Sequence, residues 1–110
     1  MAYYPHTVFI ETPVFTRQVL EKLPDGSYGE LQATLAARPD SGAIIRGGNG
    51  LRKFRWATPG RGKSGGVRVI YFWRVSESQI LMLAVYSKNE QLDLTPAQLK
   101  QLAQLVEAIK

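Results

Sequence analysis

Residues 67–88 run Val67-Arg68-Val69-Ile70-Tyr71-Phe72-Trp73-Arg74-Val75, break at Ser76-Glu77-Ser78, and resume as Gln79-Ile80-Leu81-Met82-Leu83-Ala84-Val85-Tyr86-Ser87-Lys88. β-Branched and aromatic residues dominate both runs, which suits a pleated, half-buried surface better than a helix. The break is too short for a crossover, so the two strands must be antiparallel. Leu51 to Ala57 has the same character and adds a third strand to the meander. Between it and Val67 lies a nine-residue connection, Thr58 to Gly66, rich in glycine and cations. Short turns fix register, whereas long basic loops tend to carry function.

Upstream of the meander the period is helical. Thr7 to Glu11 alternates weakly and reads as a first strand that ends at Thr12-Pro13. Thr12 as N-cap with Pro13 at the first helical position starts a helix whose Phe15, Val19, Leu20 and Leu23 share a face, and Pro24-Asp25-Gly26 stops it. Ser27 with Glu30 forms the spacing of a capping box for a second helix, which carries Leu31 and Leu35 and closes at Pro39-Asp40-Ser41-Gly42. Downstream, Thr95-Pro96-Ala97-Gln98 is another cap, with Leu94 and Leu99 placed as a hydrophobic staple. Leu99, Leu102, Leu105, Val106 and Ile109 then make an amphipathic terminal helix. The predicted order is β, α, α, β, β, β, α. This is an α+β chain with an N-terminal strand and helical hairpin, an antiparallel β-meander and a C-terminal helix, and residues 1–110 make a single domain.

The charge is localised. Between Ser41 and Ser76 stand Arg46, Arg52, Lys53, Arg55, Arg61, Lys63, Arg68 and Arg74, with no Asp or Glu. The remaining six Lys and Arg face all nine acidic residues, so this one region supplies the whole formal charge of +5. A carboxylate-free cationic segment repels itself unless a polyanion or counterions cover it, which points to phosphate as the ligand. Cysteine is absent and His6 is the only histidine. Disulfides, thiolate metal sites, His pairs and most serine-type triads are thereby excluded, and no cofactor or metal is expected. The first residues lack a signal peptide's charged start and apolar run, and no segment is long enough to span a membrane, so the expected compartment is the cytoplasm.

Ala57-Thr58-Pro59-Gly60-Arg61-Gly62-Lys63-Ser64 satisfies a relaxed phosphate-loop pattern. That motif needs a helix immediately afterwards to present backbone amides to the phosphates, and Gly65-Gly66-Val67-Arg68-Val69-Ile70-Tyr71 is strand-like. The loop is therefore either a solvated hairpin connection or a device that lays Arg61 and Lys63 over an RNA backbone. On the preceding strand a period of two puts Lys53 and Arg55 on one face and Phe54 and Trp56 on the other. Arg68 and Arg74 share a face of the next strand with Ile70 and Phe72. Pairing across the loop brings Arg68 beside Arg55, an opposition that is destabilising without an anion between the two, unless both splay into solvent. Tyr86 and Lys88 share a face at the end of the third strand, where Tyr86 is a packing, base-stacking or catalytic residue. Glu90 is a loop charge or a site residue.

Gly50-Leu51-Arg52-Lys53-Phe54-Arg55-Trp56, the loop Gly60-Arg61-Gly62-Lys63-Ser64-Gly65-Gly66, Val67-Arg68-Val69-Ile70-Tyr71, Tyr86-Ser87-Lys88-Asn89-Glu90 and the closing Asp93-Leu94-Thr95 together resemble HigB-type toxins of the RelE/ParE superfamily. The resemblance spans nearly the whole chain. It implies a RelE-like microbial ribonuclease fold and a type II toxin that cleaves messenger RNA in the ribosomal A site. It also implies an antitoxin partner, commonly with a helix-turn-helix domain, through which operator DNA is contacted only indirectly. In such a site Lys53, crowded by Arg55 and Arg68, is the expected general base, and Arg68 clamps the phosphate with Arg55 or Arg61 adding charge. Lys63, Tyr86 or Lys88 orients RNA or supplies a proton, and Arg52 and Arg74 extend the RNA-binding field. The chain departs from the better-known members in that Asn89 and Glu90 follow Lys88, where those members place an Arg and then a Tyr. The alternative function is a non-catalytic basic module that holds nucleic acid electrostatically.

Overall fold

The computed structural model describes residues 6–23, 26–57 and 66–109. Their order is β1 (Val8–Glu11), α1 (Pro13–Lys22), α2 (Ser27–Ala37), β2 (Ala43–Ile44), β3 (Leu51–Trp56), β4 (Val67–Arg74), β5 (Gln79–Ser87) and α3 (Pro96–Ile109). The α+β order expected from the sequence holds, with strand ends within a residue of those predicted and the two-residue β2 added. One sheet carries all five strands in the order β1-β5-β4-β3-β2. β1 runs parallel to β5, and every other pairing is antiparallel.

The sheet lies between two helical layers. On one side α1 and α2 bury Phe15, Val19, Leu31 and Leu35 against Val69, Tyr71, Ile80, Met82 and Val85. On the other, Val106 and its neighbours on α3 cover Leu51, Ile70, Phe72, Leu83 and Tyr86. α1 and α3 start where the sequence places them. Thr12 Oγ1 accepts from the Phe15 amide at 3.0 Å, with Pro13 leading α1. Thr95 and Gln98 cap α3 reciprocally: Oγ1 accepts from the Gln98 amide at 3.1 Å and Oε1 from the Thr95 amide at 2.9 Å.

The second helix corrects the sequence reading. Its N-cap is Gly26, at φ 85, rather than Ser27, and no side chain closes that end. Ser27 is the first helical residue, buried, and its hydroxyl accepts from the Trp56 indole at 3.0 Å. A capping box is a local bargain, and here a tertiary donor on β3 claims the oxygen first.

Two further devices position the site. The Tyr71 hydroxyl accepts from the Gly42 amide at 2.8 Å and donates to the Pro39 carbonyl at 2.6 Å, pinning the segment between α2 and β2 onto the sheet. Gly42 has to be glycine because a Cβ there would stand 2.8 Å from the Tyr71 ring. In β5, Ile70 pairs with Ala84 but Tyr71 pairs with Met82, which leaves Leu83 as the extra residue of a β-bulge. Met82 faces α1 and α2, whereas Leu83 and Ala84 both face α3. After the bulge, Val85 faces α1 and α2, and Tyr86 faces α3.

Candidate RNA-binding site at the end of the sheet

Arg55 on β3 lies directly opposite Arg68 on β4, and Arg68 directly opposite Tyr86 on β5. The predicted opposition of the two arginines is thus present, and the bulge adds Tyr86 to the same row. Arg55, Arg68 and Lys88 line a cleft of about 300 Å³ together with Trp56, Ala57 and Gly66. Among the described residues no carboxylate pairs with any of the three cations. Like charges at facing strand positions cost stability, and they are tolerated here at a concave, solvent-open sheet end where an anion can enter.

Lys53 shares the face of Arg55, two residues back, but its surroundings differ from those expected. Its Nζ lies 3.3 Å from Asp93 Oδ1, in the segment that leads into α3. The amine is bridged by a carboxylate rather than crowded by cations alone. The amide of Leu94 is the main force holding the Asp93 carboxyl below the usual range; burial opposes this, and Lys53 and Tyr86 assist it. Tyr86 is buried, and its hydroxyl makes no hydrogen bond of good geometry among the described residues. Burial first, then the nearby Asp93 charge, raises the phenol above its ordinary value, while Arg68 pulls the other way. At neutral pH Tyr86 is therefore a proton or hydrogen-bond donor rather than a base.

Of the cations assigned to RNA binding, two stand elsewhere. Arg52 points to the α1 and α2 side of the sheet, where its Nη1 donates to the carbonyls of Asp40 at 3.2 Å and Gly42 at 2.8 Å. The period of two that joined Lys53 to Arg55 had already put Arg52 on the opposite face. Arg74 sits at the far end of β4, donating to Gln79 Oε1 at 3.2 Å. Six residues of strand, roughly 20 Å, separate it from Arg68. Arg61 and Lys63 lie outside the described residues. No group of three or more His, Cys, Asp or Glu among the described residues could hold a metal ion, and no described helix is long and apolar enough to cross a membrane.

Glu90 is a structural latch. Its Oε1 accepts from the Ser87 amide at 3.0 Å and the Ser87 hydroxyl at 2.9 Å, and its Oε2 accepts from Lys22 at 2.7 Å. Ser87-Lys88-Asn89-Glu90 has the spacing of a capping box, used here to end a strand, and that spacing was the available signal. Asp93 had no such signal, since its partner is forty residues away in the chain. The Lys22 ammonium, then the Ser87 donors, lower the Glu90 carboxyl from 4.5 to about 2. A depressed carboxylate stabilises the fold above its unfolded value and loses that contribution as pH falls through the folded one. The difference in urea midpoint between wild type and Glu90→Gln should therefore be constant above pH 4.5 and vanish on approach to about pH 2. Because the carboxylate is half exposed, solvent screening keeps the difference small at every pH.

A five-stranded sheet held between helices, with a cationic cleft at one end that no carboxylate pairs among the described residues, defines a small α+β protein with a charge-presenting site. Residues 21–110 match the family described as RelE toxin of the RelE / RelB toxin-antitoxin system, and the chain belongs to that family. The solved structure of a mutant of E. coli toxin RelE in the free state shares the fold, with a TM-score of 0.55 at 18% identity over 100% of both chains.

Proposed function

We propose that this protein is a HigB-type toxin that cleaves messenger RNA in the ribosomal A site, without a metal, in the cytoplasm. In this reading a cognate helix-turn-helix antitoxin neutralises it. Membership of a toxin-antitoxin family supports the class. The observation that carries the chemistry is the Arg55 and Arg68 pair, held in register with no carboxylate partner among the described residues.

The reaction needs little else from the protein. The ribose 2′-oxygen bonds to the adjacent phosphorus, the bond from phosphorus to the 5′-oxygen breaks, the 2′-proton departs and the leaving 5′-oxygen gains one. Two guanidinium forks on the non-bridging oxygens counter the charge that grows in the phosphorane. Lys53, held by Asp93, adds positive charge along the same face of β3. The protonated Tyr86 is suited to donate toward a phosphate or leaving oxygen, and Lys88 at the rim orients RNA or carries a proton. Arg61 and Lys63 extend the grip on the RNA backbone. Alignment of the substrate by the ribosome supplies much of the remaining rate through positioning.

The test is to map messenger 5′ ends in a purified translation system with and without the protein. New ends confined to A-site codons of ribosome-bound messages are expected. Salt-sensitive binding to naked RNA without new ends would instead indicate the non-catalytic basic module.

A further inference from the structure

A second cleft, of about 370 Å³, lies beyond Lys53 between β2 and the start of α3. Arg46, Lys53 and Asp93 line it with Ile44, Leu94 and Leu99. The first two are cations and the third is the carboxylate bridged to Lys53 at 3.3 Å. We propose that this cleft is a second phosphate subsite, built from Arg46 and Lys53 and filled in the free protein by the Asp93 carboxylate, which an RNA phosphate displaces. The inference rests on RNA as the ligand of the Arg55 and Arg68 cleft and extends that site along the strand.

Geometry supports the pairing of the two clefts. Lys53 and Arg55 are two residues apart on one face of β3, roughly 6.6 Å along the strand, the reach of one nucleotide step in an extended backbone. A phosphate at Arg55 and Arg68 would thus place its neighbour beside Lys53. The resident anion is also easy to move. The Asp93 side chain is 62% exposed, and an ion pair in such a setting contributes little net stability. Leu92, next but one to Leu94 on the same segment, is 81% exposed, so little apolar burial holds that part of the segment down. Displacement would also remove the carboxylate beside the buried Tyr86 hydroxyl, leaving that donor for the substrate.

The experiment measures binding of a short single-stranded oligonucleotide with 2′-deoxy linkages, which cannot be cleaved, by fluorescence anisotropy over a range of salt. Asp93→Asn should bind roughly three- to fivefold more tightly than wild type. Its affinity should fall more steeply with salt, by up to roughly 0.7 in the logarithmic slope, because the phosphate no longer replaces an anion already held by those cations. Arg46→Ala should bind more weakly with a correspondingly shallower slope. In a Lys53→Met background the Asp93→Asn gain should disappear, since no cation remains for the carboxylate to guard. Equal or weaker binding by Asp93→Asn, or a gain that persists without Lys53, would overturn the proposal. Because the oligonucleotide is not cleaved and no ribosome is present, these outcomes are independent of the mapping experiment that tests the reaction.

Discussion

Arg68→Ala should slow messenger cleavage by about 10²- to 10³-fold, the loss typical of removing one donor aimed at developing charge. Its position explains the size. Arg68 is the central member of the row, facing Arg55 on one side and Tyr86 on the other, so no neighbour on its own strand can replace it. Stability should move in the opposite sense. Removing one of two directly opposed guanidinium groups relieves repulsion, so urea denaturation should show the variant as stable as wild type or slightly more so. A residue whose loss abolishes activity while sparing or improving the fold is functional rather than structural. Unchanged 5′ ends in the folded variant would remove Arg68 from the mechanism.

The largest effect on stability should come from Tyr71, which is fully buried in the layer under α1 and α2. Tyr71→Ala should cost ~3–5 kcal/mol, from lost apolar burial and the cavity that remains. Domains of this size hold only ~5–15 kcal/mol in total, so the variant should be substantially unfolded at elevated temperature. Tyr71→Phe separates the polar part. It keeps the ring but leaves the Gly42 amide without its acceptor and the Pro39 carbonyl without its donor. That should cost ~1–3 kcal/mol, the penalty for stranding buried polar groups. Burial already raises this phenol above its ordinary value, so it remains a donor throughout the useful pH range. If both variants lost the same amount, the hydrogen bonds would be the whole contribution and the packing argument would fail.

Tyr71 also explains why parts of the architecture were readable in the chain and others were not. The meander, the α1 and α3 caps and the Arg55 and Arg68 opposition rest on local periodicity and turn length, and these emerge from neighbouring residues alone. The Ser27 cap was misread because a serine hydroxyl offers the same acceptor to its own helix and to an indole 29 residues away. The partner of Lys53 was hidden for a related reason: charge density along a strand is visible in sequence, but a carboxylate arriving from the approach to α3 is not. Arg52 and Arg74 show that net charge over a segment says nothing about direction. One is turned beneath the sheet by strand alternation and the other is carried to its far end. β2 escaped notice because two residues carry no period, and the contacts by which Tyr71 and Arg52 hold Gly42, just before it, come from distant parts of the chain.

The bulge at Leu83 has an arithmetic meaning for the site. Membership of the arginine row is a matter of parity, since residues of a strand alternate between faces and only an inserted residue can change the count. With regular pairing carried on from Tyr71 and Met82, Arg68 would meet Val85, and Tyr86 would fall opposite Val67 among the residues under α1. The one supernumerary leucine exchanges the places of an aliphatic and a phenol at the mouth of the cleft. Pairing Leu83 regularly instead of bulging it would therefore act as an inversion: the same amino acids, one step out of phase, would bury the phenol in oil and offer a valine to the phosphate, whereas deleting Leu83 would leave Tyr86 opposite Arg68.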